Sequence, residues 1–375
     1  MTAYFDCNAT TPLDPAAREA LIQFLDEDFG NAGSRTHEFG AVAKRATQEA
    51  RAQVANAIGA RADEVLFTSG ATESNNIAIL GMSPFGIESG RKHIVTSRIE
   101  HKAVLEPVQR LQQQGFDVSF VDCYETGRVR ADDILAAVRD DTLLVSVMHV
   151  NNETGVLQPI EAIADGLEAH KAFLHVDAAQ GFGKATQSLK HKRIQLISIS
   201  GHKIYGPKGI GALVARRDRE RPPLSPLMVG GGQERGLRPG TLPVPLIAAF
   251  GVACDLAGSQ EVERMASCLQ IKRRILSALE PIGGVVNGAA EFVVPSTLNI
   301  SFPGIDSEAV MLVLKDLIAV SNGSACTSTT YEPSHVLSSM GLSEDRINGA
   351  IRLSWMHTSE EPDWSEVAAR ISSLK

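Results

Sequence analysis

From about residue 63 the chain alternates short β-branched runs with amphipathic stretches, and that alternation restricts its fold more than any other feature. Strands are predicted at 64–67, 93–96, 117–121, 142–148, 172–176, 194–199 and 211–215. Between several of them lie stretches at 102–114, 132–139 and 160–170 whose apolar residues recur three and four apart, the helical period. Strands that alternate with helices need crossover connections, which gives a mainly parallel sheet covered on both faces. The runs 143–148 and 194–199 are almost continuously apolar, as strands buried on both faces must be. Beyond 246 the pattern shifts to long helices at 246–256 and 261–279. A strand at 297–302, helices at 308–315 and 333–340, a strand at 350–354 and a helix at 364–374 follow. The expected fold is α/β, a mainly parallel seven-stranded sheet in a three-layer large domain over 15–256. A smaller α+β domain is expected from 257–375 together with 1–14.

Composition narrows the functional classes. Over 375 residues, 43% hydrophobic and 21% charged content are those of an ordinary globule. A net charge of −8 argues against direct nucleic-acid binding, and the patch Arg216-Arg217…Arg219…Arg221 reads as a solvated turn. The opening residues have neither the basic nor the apolar region of a signal peptide. No run approaches the roughly 18–20 apolar residues of a membrane span. A cytoplasmic location without a membrane partner is expected. The five cysteines are odd in number and form no paired Cys-x-x-Cys motifs, so neither a disulfide framework nor a metal site is expected.

Chemistry first surfaces at Lys203, in Ser198-Ile199-Ser200-Gly201-His202-Lys203-Ile204-Tyr205-Gly206-Pro207-Lys208-Gly209. A lysine at the end of a buried strand, flanked by Ser, His and a Gly-Pro-Lys-Gly loop, suits the Schiff-base amine of a pyridoxal-phosphate enzyme. Three further segments converge on it if the sheet is parallel, because ligands bind beyond the carboxyl ends of the strands. In Thr68–Asn76, Gly70 frees the turn, and Ala71 and Thr72 offer backbone N–H groups at a helix start, an anion site. Ordinary capping by Thr68 or Ser69 explains that pattern equally well. Asp177 ends a strand where a carboxylate can keep a pyridine nitrogen protonated, although alone it reads more simply as a turn cap. His101, in Glu100-His101-Lys102, can stack on a ring or move a proton, while a lone histidine is more often a surface or core residue. The glycine-rich runs 206–211 and 230–232 match neither nucleotide-binding fingerprint.

Read together, Asn-Ala-Thr-Thr at 8–11, Ser-Gly-Ala-Thr-Glu at 69–73, Glu-His-Lys at 100–102, Val-Asn-Asn-Glu-Thr-Gly at 150–155, His-Val-Asp-Ala-Ala-Gln at 175–180, Ser-Gly-His-Lys at 200–203 and Arg-Pro-Gly-Thr at 238–241 form an ordered series. That series resembles the NifS/IscS-type (group I) cysteine desulfurases, which are class V aminotransferase-like, fold-type I pyridoxal 5'-phosphate enzymes. The resemblance runs from Asn8 to Arg352. It implies that Lys203 holds the cofactor, that Asp177 pairs with the pyridinium nitrogen and that Gln180 bonds the phenolic oxygen. It also implies that His101 stacks on the ring and that Ala71, Thr72, Ser200 and His202 hold the phosphate. Thr241 would join them across a homodimer interface, and Asn152 and Arg352 would orient the substrate, Arg352 as a clamp on its carboxylate.

Cys326 names the substrate. It lies in Ser321-Asn322-Gly323-Ser324-Ala325-Cys326-Thr327-Ser328, with glycine freedom nearby and no apolar periodicity to bury it. Such a thiol is a candidate nucleophile, whereas Cys254 and Cys268 fall on helices and read as small hydrophobes, and Cys7 and Cys123 as structural. The segment resembles the cysteine loop of the group I desulfurases, here about 321–332, which takes sulfur from L-cysteine as a persulfide, releases L-alanine and passes the sulfur to an acceptor protein. Two departures stand out: Ser-Trp-Met-His-Thr-Ser at 354–359 replaces the usual Gly-Arg-Phe-Thr-Thr, and the longer C-terminal tail of the iron–sulfur relatives is missing. Residues 5–11 and 30–38 are similar to the branch that feeds DNA phosphorothioation, beside the alternative of iron–sulfur or thio-cofactor synthesis. An aminotransferase or selenocysteine lyase on the same fold is the rival enzyme reading, and a cofactor-holding scaffold the rival outside enzymes.

Overall fold

A computed structural model describes residues 2–322 and 333–375. The predicted strands are β1 (Val65–Thr68), β2 (His93–Ser97), β3 (Asp117–Val121), β4 (Thr142–Met148), β5 (Phe173–Asp177), β6 (Leu196–Ser200) and β7 (Gly211–Ala215). They form one seven-stranded sheet in the order β1-β7-β6-β5-β4-β2-β3. All neighbours are parallel except at β7, which runs antiparallel to both β1 and β6.

Period-two alternation sends side chains to two separate cores. Phe67, Val95, Val145, Leu174, Ile197 and Val214 enter one, and Leu66, Ile94, Leu144, Phe173, Leu196 and Leu213 the other. The first core is roofed by the helix Val244–Ser259, which packs against Pro15–Asp26 and Glu38–Ala57. Those last two helices lie in a stretch to which the sequence reading assigned no element. The signal for the first was present in Asp14-Pro15. Asp14 caps the helix by accepting from the Ala16 N–H at 3.0 Å, and Pro15 begins it, where a missing N–H costs nothing.

A third core gathers Ala3 and Phe5 with Cys268, Leu298, Ile351, Trp355 and Ile371. It is built on a three-stranded antiparallel sheet whose centre is Thr297–Ser301 and on the long helix Glu261–Leu279. The N-terminal pair Ala3–Tyr4 runs parallel to Ile318–Ala319, and the Phe5 ring lies 5.9 Å from Trp355 and 5.3 Å from Trp364. Trp355 is buried, and its indole N–H donates to the Cys268 carbonyl at 3.0 Å. This departure from the family pattern is thus absorbed into a core rather than turned toward the ligand cavity. Among the described residues, no helix is long and apolar enough to cross a membrane.

Candidate active site

The carboxyl ends of the parallel strands open into a cavity of about 1000 Å³. Ala71, Thr72, His101, Asn152, Asp177, Gln180, Ser200, His202, Lys203 and Arg352 all line it. Thr241 does not: it is exposed and lies outside its own chain's cavity. Cys326 lies outside the described residues.

Each strand delivers its residue for a local reason. β1 ends in a turn where Gly70 has φ +152°, a conformation that L side chains rarely adopt, and the helix Ala71–Leu80 starts there without a side-chain cap. Its first N–H groups therefore open toward the cavity as an anion site. The Ser200 hydroxyl lies 3.8 Å from where a Gly70 Cβ would stand, and Gly211 is required because its Cβ would meet the Gly70 Cα at 2.7 Å. Glu73 accepts from the Ser69 N–H at 2.5 Å and from Arg238 at 3.0 Å, tying the Arg-Pro-Gly-Thr loop to this turn.

Asp177 is buried at the end of β5, where Asn75 donates to one oxygen at 2.7 Å and the Ala179 N–H to the other at 3.0 Å. Two fixed donors hold the carboxylate while lone pairs remain for a third partner. Lys203 Nζ donates to the carbonyls of Asn8 at 2.5 Å and Ala9 at 2.8 Å. His101 caps the helix Lys102–Gln113, and its Nδ1 accepts from the Ala103 N–H at 3.1 Å. In the neutral ring the proton is therefore on Nε2. Burial pushes this imidazole below its usual range despite the opposing pull of Asp177. His202, bonded to Thr10 at 3.2 Å, is pushed down to about 4, by burial first and then by Lys203 and Lys208.

The opposite end of the cavity is assembled from distant segments. Arg352 is buried in the strand Ala350–Ser354, and it donates to the Asn152 carbonyl at 3.0 Å and to Asp6 at 2.7 Å. Beside it Glu153 accepts from the Ser334 hydroxyl at 2.5 Å, and burial raises its carboxyl. His335 also lines the cavity and bonds the Glu100 carbonyl at 3.0 Å, while burial pushes Glu100 itself up to about 8.

Sequence reading gave no role to Asn8, Asp6, Asn75, Glu153 or His335. Asn8 is the hub. Its carbonyl accepts from Lys203 and Gln180, and its amide reaches Thr297 and the Asn152 carbonyl, both at 3.1 Å. Asp6, Asn8, Asn75 and Glu153 all lie inside motif segments of the sequence, and only folding reveals what they touch.

Residues 3–366 match the family model described as aminotransferase class-V. The chain belongs to that family. Among the relatives of this class V chain is cysteine desulfurase IscS of Anaeromyxobacter sp. (strain Fw109-5), 47% identical over 366 residues, covering 96% of this chain and 89% of the relative. A solved NifS-like protein superposes with a TM-score of 0.91 at 35% identity, covering 100% of this chain and 99% of the other. DndA from Streptomyces lividans superposes with a TM-score of 0.83 at 48% identity, covering 93% and 98%.

The class V fold carries pyridoxal 5'-phosphate, and the donor set present here fits it. An uncapped helix start next to Ser200 suits a phosphate, a clamped carboxylate suits a pyridinium N–H, and a strand-end amine suits an aldehyde.

Proposed function

We propose that this chain is a cysteine desulfurase, which takes sulfur from L-cysteine, leaves L-alanine and hands the sulfur through Cys326 to an acceptor protein. The observation that carries this reading is the meeting of Lys203, Asp177 and Arg352 in one cavity, in a chain that aligns over 96% of its length with a cysteine desulfurase.

Pyridoxal phosphate, when bound, supplies an electron sink for charge developing at the substrate Cα. The remaining work falls to the protein. Asp177, oriented by Asn75 and the Ala179 N–H, keeps a proton on the ring nitrogen. Lys203 must leave the Asn8 and Ala9 carbonyls to move the Cα proton. His101 would stack on the ring of the bound cofactor, and with Nδ1 committed to the Ala103 N–H its Nε2 is free to donate a proton. Arg352 and Asn152 fix the substrate carboxylate. The Cys326 thiolate attacks the substrate sulfur: an S–S bond forms, the Cβ–S bond breaks, and its electron pair returns to the carbon skeleton, which takes up protons and leaves as alanine.

The other cysteines support the choice of Cys326. Burial pushes Cys7 and Cys268 up to about 12 and Cys123 up to about 11, so these thiols stay protonated at neutral pH. The homodimer reading is supported by the exposure of Thr241 outside its own chain's cavity and by the exposed, stacked rings of Phe29 and Phe39. The similar proteins carry the names IscS, NifS-like and DndA, and for this chain the proposed last step is transfer of the sulfur to an acceptor protein. A pull-down with sulfur-loaded protein identifies which acceptor this chain serves.

The test measures alanine from L-cysteine, and the sulfide that an added dithiol reductant releases from the persulfide, for the native protein and for Cys326→Ala. The expected result is loss of sulfide transfer while the cofactor absorbance survives. Full turnover by Cys326→Ala would point to an aminotransferase or lyase on the same fold.

A further inference from the structure

One buried cation stands behind the cavity wall with no part in the chemistry above. Lys184 follows Gln180 by four residues, in the turns after β5. The residue keeps some exposed surface, but its amine is enclosed and donates to Gln180 Oε1 at 3.0 Å and to Asn8 Oδ1 at 3.2 Å. A lysine ammonium has donors only, so the amide atom that faces it must be oxygen. The Gln180 nitrogen is then turned to the Asn8 carbonyl, to which it donates at 2.8 Å. That same carbonyl accepts Lys203 Nζ at 2.5 Å. Asn8 cannot swing away, because its own N–H donates to the Ser354 hydroxyl at 2.8 Å and its side chain holds Thr297.

We propose that Lys184 is a positioning residue for Lys203: it fixes the Gln180 amide on the Asn8 carbonyl, and its charge favours the unprotonated form of the Lys203 nitrogen. This rests on the reading that Lys203 binds pyridoxal phosphate. The groups facing Lys184 are Cys7 and Cys268, with Arg352 as the other cation, while Asp6 and Tyr205 lie against the thiols. Both thiols are held protonated, so neither neutralises the amine. Burial lowers Lys184 to about 8, which leaves it charged at neutral pH. On the cavity side, Lys203 is faced by His101 and His202, both pushed toward neutrality.

The experiment uses the full chain loaded with pyridoxal phosphate. It follows the absorbance of the Lys203 linkage across about pH 6–10, and cofactor loss on dilution, for the native protein, Lys184→Met and Lys184→Gln. Lys184→Met should raise the titration midpoint by about one unit and speed cofactor loss about tenfold. Lys184→Gln keeps a donor for Gln180 without the charge and should fall between. If both variants fold and titrate within about 0.2 units of the native protein, Lys184 is structural and the proposal fails. If Lys184→Met does not fold, Lys184→Gln decides: a shift of about half a unit upholds the proposal and no shift overturns it. A native protein that takes up no cofactor, or whose borohydride-fixed label is not on Lys203, overturns the cofactor reading itself.

Discussion

The lysine end and the arginine end of the cavity are built in different ways. At the lysine end nearly every residue sits at or just past the carboxyl end of one strand: Thr72 after β1, His101 after β2, Asp177 ending β5, and Ser200 to Lys203 closing β6. The parallel sheet brings them together whatever the rest of the chain does. The arginine end has no such scaffold. Arg352 lies mid-strand in an antiparallel sheet, and its partners Asp6 and Asn152 come from an N-terminal segment and a loop beyond β4. Convergence there depends on the third core, which draws Phe5 against Trp355 and so carries Asp6 to Arg352. The first end is organised by topology and the second by packing, so damage at one should be separable from damage at the other.

Lys203→Ala should give the largest effect, a loss of turnover of at least about a thousandfold, with no borohydride-fixable cofactor. Arg352→Met should lower kcat/KM by roughly a hundredfold while leaving the cofactor absorbance of the native protein. If that absorbance disappears, the two ends are one unit and the comparison breaks. Asp6→Asn keeps the shape but removes the charge that orients the guanidinium, and steady-state kinetics should show about a tenfold rise in KM with a smaller change in kcat. His101→Phe retains a ring to stack and loses the Nε2 donor. Cofactor affinity should hold while kcat falls about tenfold, and its pH profile should lose one limb.

A separate effect, outside the kinetic comparison, concerns stability against pH. His149 and His175 are pushed down to about 3 and His202 to about 4, chiefly by burial, against 6.5 when unfolded. The unfolded chain binds these protons more readily, so stability present above pH 6.5 is lost as pH falls toward 4. Urea denaturation at about pH 7 and about pH 5 should differ by roughly 2–4 kcal/mol. Glu100 acts in the opposite sense. Its carboxyl, pushed up to about 8, carries a cost that grows as pH rises from 4.5 toward 8. Glu100→Gln should then stabilise the protein at about pH 8 by about 1–2 kcal/mol and do little at about pH 5.

The lysine end was largely legible in the sequence, because strand-to-turn boundaries are local. An apolar run that stops at Ser200-Gly201-His202-Lys203 declares both the strand and what lies beyond it. The helix Glu261–Leu279 was predicted residue for residue, since its period is long and strong. Other ends moved. The helix predicted at 160–170 stops at Gly166, and that predicted at 132–139 spans Ala131–Ala136. The helix Glu38–Ala57 went unassigned because its buried face is made largely of alanines, a weak apolar stripe. What stayed hidden at the site was held by contacts across the chain. Asp6 meets Arg352 over 346 positions and Ser334 meets Glu153 over 181, and neither pairing leaves a local pattern.

The central claim is that the cavity delivers the sulfur of cysteine to one thiol. The most direct measurement is peptide mass spectrometry of the cofactor-loaded protein after a single exposure to L-cysteine, with alanine counted in the same sample. The peptide containing Cys326 should gain the mass of one sulfur atom, alanine should appear in matching amount, and Cys7, Cys123, Cys254 and Cys268 should be unchanged. Alanine formed with no sulfur on Cys326, or sulfur carried by one of the buried cysteines, would contradict the account.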